Sequence, residues 1–156
     1  MEPLRQQLQA LLEAEQAHMS FEHAVAGFPL AAINHKPPQV PYTFWHLLEH
    51  LRLCQRDILE FSTLPADLYR WPNFPDDYWP APTAETDAAG WQATIAAFLA
   101  DRQALVDLVL DPAVDLNAAL VHGPEYTVLR EILVVADHNA YHLGEFAILR
   151  QTLGYW

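Results

Sequence analysis

Two histidines near the C-terminus carry the clearest chemical pattern in the sequence. His138 and His142 lie four residues apart in the stretch DHNAYHLGE at positions 137–145. Residues at this spacing share one face of a helix, one turn apart, so a helix here presents two imidazoles together. This is the spacing with which a helix offers two ligands to one metal ion. For an isolated pair, the alternative is a surface-edge pair hydrogen-bonded to water or backbone.

A long helix from about Val128 to Leu153 is expected to position this pair, with Thr127 as its cap. The histidines belong to one stripe of this helix, whose members are Glu131, Val135, His138, His142, Glu145 and Leu149. A second, wholly apolar stripe lies beside it, so we expect the helix to be buried on most sides. Polar groups left unpaired there would each cost roughly 1–3 kcal/mol. A metal ion would satisfy them.

A third histidine is carried by the second of the predicted helices. The pattern predicts a helix that is capped by Thr43 and continues to about Phe61. Cys54 lies on its apolar seam and is interpreted as a buried core thiol. His50 flanks this seam and can face the same core as the C-terminal pair. His46, one turn earlier, competes with it for that position.

The remaining pattern is all-α. A first helix is predicted from about Pro3 to Val25, and a third from about Thr86 to Leu110. The first predicted helix also carries three polar side chains that could bind a metal or remain solvated: Glu15, His18 and Glu22. The proline-rich aromatic stretch 62–83 is predicted to be an ordered loop that covers the metal pocket, supplies a dimer contact or only wraps the core. We therefore predict a single domain, residues 1–156, folded as a four-helix bundle with long crossover connections.

Charge and composition exclude several classes of function. The 156 residues carry a net charge of −12, and Lys36 is the only lysine. Binding to phosphates needs clustered Lys and Arg, so nucleic acid and anionic membrane surfaces are excluded as partners. One cysteine allows neither an internal disulfide framework nor a Cys-rich zinc site. Without a signal-peptide pattern or an apolar stretch of about 20 residues, the protein is expected to be soluble and cytoplasmic.

Two segments resemble the DinB/YfiT-like superfamily. They are PYTFWHLLEHL at 41–51, followed by QRDILEF at 55–61, and ADHNAYHLGE at 136–145. The resemblance implies a four-helix bundle that binds a divalent metal through one histidine of the second helix and the HxxxH pair of the fourth. The matching positions are His50, His138 and His142. Zinc or nickel is the favoured ion, with iron or manganese as alternatives, since imidazole suits all of these metals.

Glu145 stands where many relatives of this superfamily have Gln. Its carboxylate could bind the ion, act as a general base on bound water, or only orient a histidine. Asp57 and Glu131 are weaker candidates for the same roles, and a solvated helix-edge carboxylate is an equally good interpretation of each.

Two classes of function stay open at this point. Relatives of the superfamily include transferases that use low-molecular-weight thiols and metal-dependent hydrolases, so the first class is a metal-dependent enzyme. Such thiols need a basic patch, and eight Lys and Arg against 20 acidic residues supply little of one. Thiol transfer is therefore less favoured than hydrolysis. The second class is a non-catalytic, dimeric, stress-associated protein whose ion stabilises the bundle. A homodimer is suggested by the aromatic loop and by Tyr155 and Trp156.

Overall fold

The computed structural model describes residues 2–13 and 16–156. Over these residues the chain is helical, and its five α-helices are α1 (Glu2–Glu13), α2 (Phe21–Val25), α3 (Phe44–Thr63), α4 (Ala88–Leu110) and α5 (Val128–Thr152). Two short 3-10 helices lie at Leu30–Ala32 and Asp76–Tyr78. The described part has no strand, only an isolated bridge between Ala119 and Thr127. The predicted all-α class is confirmed, and no helix described here is long and apolar enough to cross a membrane.

The three long helices after α2 each begin at a side-chain cap. The Thr43 hydroxyl, the Asp87 carboxylate and the Thr127 hydroxyl accept a hydrogen bond from the backbone N–H three residues ahead, at 3.1, 2.8 and 3.2 Å. Such a bond satisfies an N–H group that has no partner within the helix. The predicted caps of α3 and α5 are therefore confirmed, and the predicted start of α4 is one residue from its observed cap.

The N-terminal region differs from the single predicted helix over residues 3–25. α1 ends at Glu13, and only Phe21–Val25 is helical again as α2. The Ser20 hydroxyl accepts a hydrogen bond from the His23 N–H at 3.2 Å, so Ser20 starts a new helix instead of continuing the first. Glu15, a metal-ligand candidate of this region, lies outside the described residues.

The long helices pack on one another around α3 and α5. α3 contacts both α4 and α5, and α1 contacts the same two helices. Buried apolar side chains form two clusters, one rich in aromatic rings and one made mainly of Leu, Ile and Val. Two side-chain amides, the buried Gln55 and the partly buried Asn139, link three of the helices, because Gln55 donates to the Phe98 carbonyl at 2.7 Å and Asn139 donates to Gln55 at 3.0 Å. This network fixes the turn of α5 next to His138.

α5 is less buried than its apolar composition predicts. Its inner side packs through Val135, Leu143 and Phe146. Leu133, Tyr141 and Ile148 are 48%, 70% and 64% exposed, which corrects the expectation of burial on most sides. The helices α1, α2 and α3 that pack against α5 leave this outer side open.

The connection between α3 and α4 packs on α3, as the aromatic composition predicted. We call residues 64–83 the aromatic segment, since Ser62 and Thr63 belong to α3. The hydroxyls of Tyr69 and Tyr78 each donate to one oxygen of Asp57, both at 2.7 Å. A carboxylate on α3 thus fastens the segment at two points.

Candidate metal centre

Three imidazoles meet between α3 and α5. The Nε2 atoms of His50 and His138 are 3.2 Å apart. The ring centroid of His142 lies 4.8 Å from that of His50 and 4.6 Å from that of His138. One nitrogen from each ring lies within 4.8 Å of the other two. The predicted convergence of His50 on the C-terminal pair is therefore confirmed.

The aromatic segment holds His50 from outside the cluster. His50 Nδ1 donates to the Tyr78 carbonyl oxygen at 2.7 Å. A carbonyl only accepts, so Nδ1 carries the hydrogen and Nε2 keeps its lone pair on the side of His138. The Trp79 ring stacks on the imidazole, with centroids 3.8 Å apart and planes 7° apart. The segment therefore fixes both the tautomer and the plane of this ring.

Glu145 holds His142 in a similar way. Its Oε2 lies 2.8 Å from His142 Nδ1, and its Oε1 accepts a hydrogen bond from the Tyr42 hydroxyl. A carboxylate on Nδ1 leaves Nε2 as the nitrogen available to a ligand. Of the roles considered for Glu145, orienting a histidine is the one these contacts support. Burial raises the pKa of Glu145 above its ordinary value.

The hydrogen-bond inventory of the cluster fits a cation. Outer partners take the Nδ1 hydrogens of His50 and His142, so a neutral His138 can donate to only one of the two facing nitrogens. The Nδ1 atom of His138 is itself buried without a hydrogen-bond partner. Lone pairs that face one another in this way repel, and a metal ion between them would remove the repulsion.

The geometry and the protonation state agree with this fit. Two nitrogens that each lie 2.0–2.1 Å from a tetrahedral zinc ion are about 3.3 Å apart, close to the 3.2 Å between His50 and His138. Burial lowers the pKa of all three imidazoles, that of His142 to about 4. The neutral form, which binds metals, is therefore the form present at pH 7.

A cavity of about 380 Å³ opens onto the three histidines. Its other walls come from α3, α5 and the aromatic segment, and they are mainly apolar or aromatic. Asp57 is its one carboxylate, and no lysine or arginine of the described chain lines it. Its size lies within the range of small-molecule sites.

Cys54 lies at this cavity rather than in the core, which corrects the interpretation from sequence. Its sulfur is 3.5 Å from His50 Nδ1, and the side chain lines the cavity wall. Burial, with a smaller contribution from the Asp57 charge, raises the pKa of the thiol to about 12. The group is thus protonated at neutral pH and is a poor nucleophile. Its position one turn after His50 was the available indication of this placement.

The other candidates have partners elsewhere. His46 is buried and its Nε2 donates to the Ala84 carbonyl at 2.7 Å, so it does not join the three histidines. Glu131 pairs with Arg130 at 2.7 Å. Asp57 lines the cavity but is bonded to the two tyrosines described above.

The two candidates of the N-terminal region that the structure describes also lie outside the cluster. His18 Nδ1 contacts the Met19 carbonyl oxygen at 2.8 Å. Glu22 forms an ion pair with Arg102 on α4, and this pairing lowers the pKa of the Glu22 carboxyl.

Fold and site together define an all-α protein with a three-histidine centre that could hold a metal ion. The sequence model of the DinB superfamily matches residues 5–146, a range that contains the three histidines and Glu145. The chain belongs to the DinB superfamily. Comparisons with curated proteins and with solved structures give no match.

Proposed function

We propose that the protein binds one divalent metal ion through His50, His138 and His142. The observation that carries this proposal is the meeting of three neutral imidazoles from two helices. An ion held there would supply Lewis acidity to a bound substrate or acidify water. Zinc or nickel suits three nitrogen donors best among the expected ions, with iron or manganese as alternatives.

We take α1, α3, α4 and α5 as the helices of a four-helix bundle with long crossover connections. The packing of α3 and of α1 on both α4 and α5 supports this topology. A single domain over residues 1–156 stays a prediction. In this arrangement the site lies between the second and fourth helices of the bundle, as the family resemblance implies.

A metal-dependent enzyme is favoured over a purely structural ion by the cavity. A cavity of about 380 Å³ reaches the histidines, so a substrate could approach them, whereas a structural ion is usually enclosed by four protein ligands. Of the two reaction classes, hydrolysis is favoured over thiol transfer. The described cavity wall offers no basic side chain to the carboxylates that common low-molecular-weight thiols carry.

The chain's own residues have separate tasks in this proposal. The carbonyl of Tyr78 and the carboxylate of Glu145 orient two of the imidazoles. Ile58, Val134 and Trp79 form an apolar wall against which a substrate could pack. With Cys54 protonated, the cavity has no ready side-chain nucleophile among these residues.

Elemental analysis of protein purified without a metal-affinity tag tests the metal site. We expect about one divalent ion per chain, and loss of that ion in His138→Ala. His18→Ala is the matched control, because His18 lies outside the cluster and should leave the metal content unchanged. Undiminished metal in His138→Ala would overturn the proposal.

Catalysis is tested separately by a screen of esters, amides and thiols with the metal-loaded protein. Turnover that disappears in His138→Ala supports the enzyme. A protein that holds its ion but turns over none of these compounds supports the alternative, a non-catalytic protein stabilised by its metal.

A homodimer stays a prediction, as does a cytoplasmic location. Trp71 of the aromatic segment is 70% exposed, which supports an interface there. Tyr155 packs against Phe28 and Phe44 within the chain, so the C-terminal tail offers mainly Trp156. Light scattering over a range of protein concentrations measures the association.

A further inference from the structure

We infer that the cavity beside the histidines takes a small, largely apolar molecule that carries a positively charged amine, and that Asp57 binds this amine. The inference rests on the proposed function, since it names the substrate class of the same site.

At the Asp57 end of the cavity, away from the three histidines, the charges favour a cation over an anion. Asp57 is the one carboxylate of the lining, and no lysine or arginine of the described chain lines this cavity; Arg56 and Arg70 lie with Asp57 at a separate surface pocket. The whole chain carries a net charge of −12, so the surrounding field has the same sign. At this end of the cavity an anionic molecule would meet a like charge, which disfavours its binding.

The hydrogen bonds of Asp57 leave it able to receive a further donor. Each of its oxygens accepts one tyrosine hydroxyl at 2.7 Å, from Tyr69 and from Tyr78. An ionised carboxylate has about four acceptor positions, so two bonds do not exhaust it. The tyrosines also hold the group in place before a ligand arrives, which reduces the entropy cost of binding.

Aromatic rings add a second attraction for a cation. Phe74, Tyr78 and Trp79 line the cavity, and the rings of Phe74 and Tyr78 have their centroids 6.1 Å apart. The face of an aromatic ring attracts an ammonium group. Phe74 is 87% exposed, so its ring stands at the solvent edge, where an incoming amine would meet it.

The spacing along α3 sets the length of the ligand. Asp57 follows His50 by seven residues, which is about 10.5 Å along a helix axis. Ile58 and Val134 give the cavity apolar lining. A molecule with an amine at one end and its reactive bond at the other, joined by an apolar linker, fits this arrangement. An amine bonded to Asp57 lies about 3 Å from the carboxylate and about 10 Å from a bound dication, so by Coulomb's law its attraction to Asp57 exceeds its repulsion from the ion.

Three probes of equal shape test the inference on the zinc-loaded full chain. They are 4-phenylbutylamine, 4-phenylbutanol and 4-phenylbutyrate, whose head groups are positive, neutral and negative at pH 7. Affinities are measured by ligand-observed NMR titration for the wild type and for Asp57→Asn. The decisive quantity is the change in each probe's affinity caused by Asp57→Asn, because a head group that only coordinates the metal contacts the three histidines' ion and not Asp57, and an Asn that keeps both tyrosine bonds also keeps the support of His50.

We expect Asp57→Asn to weaken binding of the amine about tenfold and binding of the alcohol less than threefold. The Asn side chain keeps the shape and can still bond to both tyrosines. Phe74→Leu is a second variant that removes the ring without touching Asp57, and it should weaken the amine about threefold and leave the alcohol unchanged. Asp107 is an exposed residue of α4, and Asp107→Asn changes the net charge by the same amount as Asp57→Asn. This control should leave the affinities of all three probes unchanged.

Equal loss for amine and alcohol in both cavity variants would overturn the inference, as would the failure of every probe to bind. Metal content is measured on the same samples. A wild type that binds no metal would overturn the proposed function, and this result is read independently of the probe affinities.

Discussion

The contact between Glu145 and His142 offers a test of the proposed metal binding that leaves all three proposed ligands in place. Glu145 accepts from His142 Nδ1 at 2.8 Å with one oxygen and from the Tyr42 hydroxyl with the other. In Glu145→Gln, an amide oxygen can still accept from the histidine, but the negative charge is lost. In Glu145→Ala, both hydrogen bonds are lost and the imidazole is free to turn.

The two substitutions differ in how much metal affinity they should remove. Loss of the partner that orients a ligating histidine typically lowers metal affinity 10- to 100-fold, which is about 1.4–2.7 kcal/mol. We expect Glu145→Gln to lie near the tenfold end because its geometry is kept. We expect Glu145→Ala to lie near the hundredfold end, since the ring then loses its orientation as well.

Competition with a chromophoric zinc chelator at pH 7.5 measures these affinities. Glu60→Gln is the matched control, because Glu60 pairs with Arg56 at 2.7 Å on the surface of α3 and has no contact with the histidines. It should leave zinc affinity within about twofold of the wild type, as expected for an exposed pair. Urea denaturation in EDTA gives the effect of each substitution on the metal-free fold.

Unchanged zinc affinity in Glu145→Ala would refute the reasoning, because it would show that His142 is held without the carboxylate. A different result would distinguish the general-base role considered for Glu145 from its role in orienting His142. If Glu145→Gln retained zinc affinity but lost turnover of a substrate, proton transfer rather than orientation would be its main task.

Four further predictions concern stability and reactivity. Burial lowers the pKa of His142 from its ordinary 6.5 to about 4 in the folded protein, so the unfolded state binds more protons between these two pH values. The free energy of unfolding of the metal-free protein should therefore fall by about 2–3 kcal/mol from pH 7 to pH 4. A flat urea-denaturation profile would contradict this. Cys54, with a pKa of about 12, should react with iodoacetamide at pH 8 at least tenfold more slowly in the folded protein than in urea, as followed by mass spectrometry. Gly123→Ala would place a Cβ 2.6 Å from the Tyr126 ring and should cost about 1–3 kcal/mol in thermal or urea unfolding. Gly144→Ala meets no atom within 4 Å in the middle of α5 and should instead stabilise by about 0.5–1 kcal/mol, so equal effects at the two glycines would be inconsistent with the packing described here.

The parts of the site that sequence could predict are those with local patterns. Thr43 and Thr127 act as caps through contacts three residues away, so their positions follow from the sequence. The pairing of His138 with His142 follows from helical spacing alone. The placement of His50 needed only the apolar seam of its own helix and the family resemblance.

The supports around the histidines could not be predicted in this way. The Tyr78 group that contacts His50 is a backbone carbonyl, which has no residue-type pattern, and it lies 28 residues away in the chain. Tyr42 and Glu145 are 103 residues apart. Contacts of this kind depend on how the helices pack, which periodicity does not specify.

Two features of the fold were predicted wrongly from the sequence. Residues 4–25 contain neither glycine nor proline, so no helix breaker in the sequence revealed that Ser20 starts a new helix. On α5, apolar residues such as Leu133 and Ile148 indicated burial, but which side of a helix is covered depends on its neighbours. Apolar residues often remain exposed in folded proteins, so composition alone overestimates burial.

The two tyrosines bonded to Asp57 have a consequence for how the site can be observed. They hold in place the segment whose Tyr78 carbonyl and Trp79 ring support His50. By thermodynamic reciprocity, an ion that binds better when this segment is docked must favour the docked state by the same factor. Proteolysis of residues 64–83 should therefore slow as the histidines are filled, and a chain nicked there should release its ion more readily.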